Sequence, residues 1–263
     1  MSNPTSWRRV WDDKAKAEVP DFELDRGISP RDREIESLSE QELINFIDPR
    51  SSERLLDAGC GTGVNILRLH SKVKSIIGID YTQGSLDRCH KRIQDHQIKN
   101  AQVFQASVTS IPLPDCSVDK VLCLSVLQYL DHEEFRQALK EFVRVLTPEG
   151  VLILHVKNLS SLYWSTLWAA KKCMSVFGMR PQIEHFRSFQ WYVDELASQK
   201  LHVLDYNSFN LLTLDRMPKG ILSFLQRIEL KNHTGSILRI PFVRRRGAEL
   251  KIKAKVLASG ANR

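Results

Sequence analysis

The sequence predicts an α/β protein with a mostly parallel sheet, and three patterns lead to that expectation. Short apolar runs alternate with helix-like runs through the first 156 residues, as parallel strands joined by crossover helices require. The stretch LLDAGCGTG, from Leu55 to Gly63, joins the first apolar run to a helix through three glycines. The late stretch ELKIKAKVLA alternates apolar and lysine residues, which is typical of an antiparallel strand with one face in water.

The individual elements follow from local patterns. A first helix is expected to start at Ser39, because Ser39-x-x-Glu42 has the form of a capping box. Strands are indicated by ERLLDA, KSIIGID, AQVFQAS, DKVLCLSVL and VLILHV, and the helices between them by VNILRLHSK, SLDRCHKRIQDH and HEEFRQALKEFVRVL. The last of these helices carries an apolar stripe of Phe135, Leu139, Phe142, Val143 and Leu146. TPEG is expected to break that helix before the fifth strand.

Beyond the fifth strand the regular alternation of strand-like and helix-like runs ends. A long helical candidate, NLSSLYWSTLWAAKKCMSVFGM, is followed by a second helix, SFQWYVDELASQK, and by the strand-like LHVLDYNSF. A basic stretch comes next, and the final strand is expected from Glu249 to Ala258. Aromatic residues of this region fit either an apolar lid over a pocket or ordinary core packing; they are Tyr163, Trp164, Trp168, Phe186, Phe189 and Trp191.

Composition and charge narrow the class of protein. The net charge is +7, yet residues 213–263 carry 12 Lys and Arg against 3 Asp and Glu, whereas the remainder carries 26 against 28. This asymmetry fits either an anionic or membrane-surface partner or a solvated basic face. No signal peptide is recognisable in MSNPTSWRRVWDDKAKAE. Five scattered cysteines lack zinc spacing, so we expect no metal site and free thiols in the cytoplasm.

The glycine turn predicts a nucleotide site, because a strand, a glycine-rich turn and a helix together present backbone N–H groups to a ligand. Gly59 and Gly61 are expected to let the backbone approach that ligand, and Gly63 to let the helix start close to the strand. A phosphate loop would need Gly-Lys-Ser/Thr, whereas Val64 and Asn65 follow Gly63 here. A dinucleotide fingerprint would place a small residue where Val64 stands.

LLDAGCGTG resembles the first motif of class I S-adenosylmethionine (SAM)-dependent methyltransferases, in particular small-molecule enzymes with a type 11-like domain. Three later segments, GIDYT, IPLPDCSVDKV and EFVRVLTPEGVLIL, resemble further motifs of that family in the same order. The resemblance covers Glu53 to Val156. It implies a Rossmann-like sheet of seven strands, mostly parallel, with helices on both faces. It also implies a last strand antiparallel beside the fifth and a helical insertion after strand five.

The resemblance implies SAM as the cofactor and assigns residues to it. Asp57 would suit the methionine ammonium and Asp80 the two ribose hydroxyls, although either acid also fits a helix-capping role. The family often has an acid for the adenine amino group, and Ser107 stands there instead, beside the backbone of Val108. The expected cofactor residues are Asp57, Gly59, Cys60, Gly61, Gly63, Asp80, Tyr81, Ser107, Val108 and Leu124.

Candidates for the acceptor side follow strands four and five, in LSVLQYLDH and HVKNLSSLYW. They are Gln128, Tyr129, His132, His155, Lys157 and Asn158. His155 has a useful range as a general base, although a histidine inside a strand-like run is often structural. His155 and Tyr129 are the residues to which we assign catalysis, whereas Asp131 and His132 are expected to cap the following helix.

The resemblance implies methyl transfer by in-line displacement to a small-molecule, sugar or lipid- or glycan-intermediate acceptor, on oxygen or nitrogen. The sequence has neither Asn/Asp-Pro-Pro-Tyr nor Pro-Cys after strand four, which makes nucleic acid the less favoured acceptor. A non-catalytic SAM-binding regulator or assembly protein stays open as an alternative. We divide the single domain into an N-terminal helical segment (1–52), a SAM-binding core (53–158) and an acceptor-side lid, basic insertion and terminal strands (159–263). The protein is expected in the cytoplasm, and a peripheral contact at a membrane stays open.

Overall fold

The computed structural model describes residues 10, 11, 13, 33–161, 165, 173, 185–209, 245 and 249–257. Seven strands form one sheet in the order β3-β2-β1-β4-β5-β7-β6. The strands β1 to β5 pair in parallel, and β7 is antiparallel to both β5 and β6. They are β1 (Arg54–Ala58), β2 (Ser75–Asp80), β3 (Ala101–Gln105), β4 (Val118–Leu124), β5 (Leu146–Lys157), β6 (Leu201–Phe209) and β7 (Glu249–Val256). The predicted fold class is confirmed.

Helices lie on both faces of this sheet. They are α1 (Arg33–Ile47), α2 (Val64–Leu69), α3 (Gln83–Asp95), α4 (His132–Val145) and α5 (Phe189–Ser198). The predicted cap of α4 is present, since the Asp131 carboxylate accepts hydrogen bonds from the N–H groups of Glu133 and Glu134. The predicted start of the first helix at Ser39 is wrong, because α1 already begins at Arg33 and Ser39 therefore lies inside it.

Two apolar cores pack on opposite faces of the sheet because successive side chains of each strand alternate between faces. Leu56 and Ala58 of β1 join α4 and α5 in one core, whereas Leu55 joins α1, α2 and α3 in the other. The predicted stripe of α4 is buried at Phe135, Leu139 and Phe142. Both cores continue to the carboxyl ends of β1 and β4, so the loops that follow these strands start from a rigid base.

The lysine face of β7 is only partly open to water, contrary to the expectation from its alternating pattern. Lys251 is 8% exposed and pairs with Glu42 of α1. The Lys253 ammonium lies 5.2 Å from the centre of the Phe46 ring, and burial lowers the pKa of Lys253. Lys255 pairs with Glu149 at 3.0 Å. Helix α1 covers this end of the sheet, and its carboxylate and ring accommodate the charges.

Strand β5 begins earlier than the sequence indicates. It starts at Leu146 and includes the TPEG segment, although Glu149 has a φ of 69° there and the register with β4 shifts between Val118 and Lys120. Among the described residues, no helix is both long and apolar enough to span a membrane. The expectations for Tyr163, Trp164, Trp168 and for the basic stretch between β6 and β7, apart from Arg245, lie outside the described residues.

Candidate functional site

The glycine turn lies at the carboxyl end of β1 and runs into α2. Gly59, Gly61 and Gly63 all have positive φ, at 86°, 54° and 85°, a region that L-residues with a Cβ rarely occupy. A Cβ on Gly59 would lie 2.2 Å from Cγ2 of Val126, and one on Gly63 would lie 2.5 Å from Sγ of Cys89. Two of the glycines are therefore required by the packing of the turn against the β4 loop and α3, whatever else approaches it.

Asp80 ends β2 and ties the turn to its neighbouring strand. Its Oδ2 accepts a hydrogen bond from the Gly61 N–H at 3.0 Å, and its Oδ1 accepts from the N–H and the hydroxyl of Thr82 at 2.9 and 2.7 Å. Burial raises the pKa of Asp80, and these hydrogen bonds act in the opposite direction. The carboxylate is thus oriented at the carboxyl edge of the sheet by the turn and by the residues that follow β2.

The sequence predicts that backbone N–H groups of the turn face a ligand. Most of them have hydrogen-bond partners within the protein. Those of Gly59 and Cys60 both donate to the carbonyl of Ile79, at 2.7 and 2.9 Å. The Gly63 N–H donates to the Cys60 carbonyl at 2.9 Å. The turn is thus bound to β2 from Gly59 to Gly61, and the partly buried Asp80 carboxylate lies at that edge.

Asp57 lies inside β1 and is fully buried. Its charge contributes to raising the pKa values of two buried thiols, those of Cys60 and Cys123. For Cys60 the largest cause is a hydrogen bond with Cys89, followed by burial. These thiols stay protonated and buried, and a contact between Cys60 and the cofactor stays a prediction. A contact between Asp57 and a ligand ammonium stays a prediction.

The predicted adenine side follows β2 and β3. The Ser107 hydroxyl shares a hydrogen bond of 2.7 Å with that of Thr109 and accepts from the Thr109 N–H at 3.2 Å. Val108 is buried in the core. The Tyr81 carbonyl accepts a hydrogen bond from the Gln105 amide at 3.2 Å. These residues lie along the same carboxyl edge as Asp80, and their contacts with adenine stay predictions.

The carboxyl ends of β4 and β5 bring a serine, a histidine and a glutamate into one hydrogen-bonded row. Leu124, the last residue of β4, pairs with His155 of β5. The next residue, Ser125, has a φ of 62°, and its Oγ lies 2.9 Å from Nδ1 of His155. On the other side of the ring, Nε2 lies 3.1 Å from Oε2 of Glu249, the first residue of β7.

The loop after Ser125 is held from below by buried polar groups. The Gln128 amide donates to the Ser125 carbonyl at 2.8 Å, which fixes the strained serine backbone. Arg187 is 3% exposed and donates to the carbonyls of Leu127 and Leu130, at 3.1 and 2.6 Å. Its guanidinium also lies 4.6 Å from the Trp191 ring centre, and burial lowers its pKa. Together these contacts make the β4 loop a rigid platform.

The remaining acceptor-side candidates fall into two groups. Tyr129 lies at the edge of the loop, with its ring 5.8 Å from that of Trp11. The others have partners in the protein, and their roles toward an acceptor stay predictions. Asn158 is fully buried and donates to the Arg245 carbonyl, the Lys157 carbonyl accepts from Tyr192, and His132 packs edge-on against Trp191. Core packing rather than a lid describes Phe186 and Phe189, which are buried, and Trp191, which packs against Phe135.

The structure therefore gathers the predicted residues at one edge of the sheet, with Gly59 against Val126 joining the glycine turn to the β4 loop. Sequence reasoning missed Ser125, Glu249 and Arg187. Ser125 stands in the stretch singled out after strand four, but a lone serine carries no signal until a strand pairing brings His155 beside it. Glu249 opens the predicted last strand, and only the antiparallel pairing of β7 with β5 places it near the imidazole.

Comparisons with known proteins agree with this arrangement. A family model described as a methyltransferase domain matches residues 55–150. Malonyl-(acyl-carrier protein) O-methyltransferase of Serratia marcescens is 30% identical over 186 residues, which cover 69% of this chain and 68% of that protein. A probable SAM-dependent methyltransferase of Mycobacterium tuberculosis is 31% identical over 120 residues. That match covers 45% of this chain and only 41% of the mycobacterial protein.

Solved structures share the fold at low sequence identity. Phosphoethanolamine N-methyltransferase 1 of Haemonchus contortus, in complex with phosphoethanolamine and S-adenosylhomocysteine, has a TM-score of 0.68 and 16% identity over 98% of this chain and 50% of that one. The cyclase SpnF has a TM-score of 0.58 and 19% identity over 84% of this chain and 80% of that one. The turn, the strand order and the Serratia relative together show that the chain belongs to the class I SAM-dependent methyltransferases, whose cofactor is SAM.

Proposed function

We propose that this protein transfers the methyl group of SAM to a small-molecule, sugar or lipid- or glycan-intermediate acceptor. The observation that carries the proposal is the Asp80 carboxylate, which the Gly61 N–H and Thr82 orient at the carboxyl edge of the sheet. An oriented acid at this place fits ribose hydroxyls and disfavours a phosphate. When bound, SAM supplies an activated methyl group on a sulfonium.

The chain's own residues would then bind and orient the cofactor and the acceptor. Asp80 would hold the ribose, the turn from Gly59 to Gly63 would position the amino-acid end, and the platform after β4 would receive the acceptor. Alignment of this kind supplies up to about 7–11 kcal/mol of a reaction barrier. The cofactor assignments of Asp57, Ser107, Val108, Tyr81 and Leu124 belong to the same proposal.

The names of the relatives bear on the acceptor class. The Serratia relative is named as an O-methyltransferase, and the Haemonchus structure as an N-methyltransferase. The fold also occurs in a protein named as a cyclase, so the fold alone does not specify methyl transfer, and a non-catalytic SAM-binding role is the second candidate. An anionic or membrane-surface contact through the basic stretch of residues 213–263 is part of the proposal for a lipid-linked acceptor.

The test is conversion of SAM to S-adenosylhomocysteine with a panel of alcohols, phenols, sugars, amines and lipid-linked glycans. Asp80→Asn places an amide NH₂ against either the Gly61 N–H or Thr82. It should weaken S-adenosylhomocysteine binding by about tenfold to a hundredfold, as expected for loss of a charge-assisted hydrogen bond. Asp95→Asn, on the exposed side of α3, is the matched control. Binding without turnover across the panel would favour the non-catalytic candidate, and absence of binding would refute the proposal.

A further inference from the structure

A hydrogen-bonded row is formed by Ser125, His155 and Glu249. It has the geometry of a proton relay, and no sequence motif predicts it. The imidazole lies between two oxygens, with Nδ1 2.9 Å from Ser125 Oγ and Nε2 3.1 Å from Glu249 Oε2. An ionised carboxylate only accepts hydrogen bonds, so the tautomer that fits both partners is the one whose Nε2–H donates to Glu249. Nδ1 is then free of a proton and accepts the Ser125 hydroxyl.

The row also reaches the surface at the edge where the glycine turn and the β4 loop meet. Ser125 is exposed, and the side chains of His155 and Glu249 are 22% and 27% exposed. Ser125 precedes Val126, the residue whose side chain fills the space above Gly59. The serine hydroxyl therefore opens at the edge where the glycine turn and the β4 platform meet, on the acceptor side of the proposed cofactor site.

The backbone holds Ser125 in this position by an unusual conformation. Its φ of 62° costs a residue with a Cβ about 1–2 kcal/mol. The Ser125 N–H donates to the His155 carbonyl at 2.9 Å, and the Ser125 carbonyl accepts from the buried Gln128 amide. Strained backbone held by surrounding bonds is frequent at functional sites.

We propose that this row activates the acceptor of the methyl transfer described above, on which the inference rests. An acceptor hydroxyl gives its proton to Ser125 Oγ, while the serine proton passes to Nδ1 of His155. The resulting imidazolium is held by Glu249 across Nε2–H, and the acceptor oxygen forms its new bond to the transferred methyl carbon as the carbon–sulfur bond breaks. His155 later returns the proton to water.

This chemistry points to a neutral alcohol or phenol as the acceptor. A carboxylate acceptor is already ionised at neutral pH and needs no relay, whereas a hydroxyl acceptor needs a base. Ser125 and His155 are the catalytic residues of this proposal and Glu249 is a positioning residue. Other charged groups on the same sheet face include Lys157, which lies 5.7 Å from the Phe186 ring centre, and Lys251, which pairs with Glu42. Lys253 and Lys255 lie farther along β7 on that face.

A binding experiment tests the row without knowledge of the acceptor. Sinefungin has an amine-bearing carbon at the position of the methyl-bearing sulfur of SAM. S-adenosylhomocysteine has a sulfur there without the methyl group and without an amine. Isothermal titration calorimetry of both compounds gives their affinity ratio. If Ser125 faces the transferred methyl, its oxygen accepts from the sinefungin ammonium, and the ratio should favour sinefungin by about tenfold to a hundredfold.

Variants assign that preference to the row. Ser125→Ala and His155→Gln should abolish or strongly reduce the ratio, and Glu249→Gln should reduce it severalfold. S-adenosylhomocysteine affinity should stay within about twofold in all three. Ser52→Ala, an exposed serine at the other end of β1, is the control. Thermal unfolding followed by circular dichroism checks that each variant is folded. If Ser125→Ala does not fold, His155→Gln still tests the row.

The outcomes separate the two proposals. If wild-type protein binds S-adenosylhomocysteine but its preference for sinefungin is absent or survives Ser125→Ala and His155→Gln, the relay is overturned while the proposed function stands. If neither compound binds, the proposed function itself fails. Loss of the preference in the row variants alone supports the relay.

Discussion

Substitution of Gly59 by alanine tests whether the glycine turn is shaped by its contact with the β4 loop. The new Cβ would lie 2.2 Å from Cγ2 of Val126, far inside contact distance, and 3.4 Å from its Cβ. The positive φ of 86° adds about 1–2 kcal/mol, and overpacking adds about 1–3 kcal/mol. Gly59→Ala should therefore lower the free energy of unfolding by about 2–5 kcal/mol.

A double-mutant cycle separates these two causes. In a Val126→Ala background the clashing methyl is absent and the nearest remaining atom is the Cβ at 3.4 Å. Gly59→Ala should then cost only the backbone part, about 1–2 kcal/mol. Urea unfolding of the four proteins, followed by circular dichroism, gives the coupling, which we expect to be about 1–3 kcal/mol. Additive effects, within about 0.5 kcal/mol, would refute the packing explanation of this glycine.

Two further predictions concern buried charge. The Lys120 ammonium donates to the carbonyls of Ile47, the last residue of α1, and of Asp48 after it, and lies 2.8 Å from Glu53. Lys120→Met should therefore lower the free energy of unfolding by about 3–5 kcal/mol. Exposed Lys72→Met should cost almost nothing, and equal effects in urea unfolding would contradict this role. Arg144 lowers the pKa of Glu141 in the folded protein. The ionised Glu141 therefore contributes its full stabilisation above its unfolded pKa of about 4.3, and this contribution is lost as the pH falls through the lower pKa of the folded state. The stability gap between wild type and Glu141→Gln should narrow between pH 5 and pH 3, and a constant gap would disprove it.

The parts of the fold that the sequence predicts well are those set by local pattern. The five parallel strands, the cap at Asp131 and the final antiparallel strand each follow from residues close together in the chain. The start of α1 was misplaced because Ser39-x-x-Glu42 matches a capping box, but such a pattern also occurs inside a helix. Motif position likewise predicted Asp80 at the end of β2.

The features that escaped prediction depend on residues far apart in sequence. Lys251 is buried because Glu42 reaches it from α1, and an alternating pattern alone indicates water on that face. His155 gains two partners because β4 and β7 flank β5. A pattern within one strand identifies neither, so the acceptor side of the site needed the three-dimensional pairing.

A crystal structure of the protein with S-adenosylhomocysteine tests the central claim most directly. The account predicts the ribose hydroxyls within hydrogen-bonding distance of the Asp80 carboxylate, with the sulfur turned toward Ser125. A ribose bound away from Asp80, or a nicotinamide dinucleotide occupying the glycine turn in its place, would contradict it.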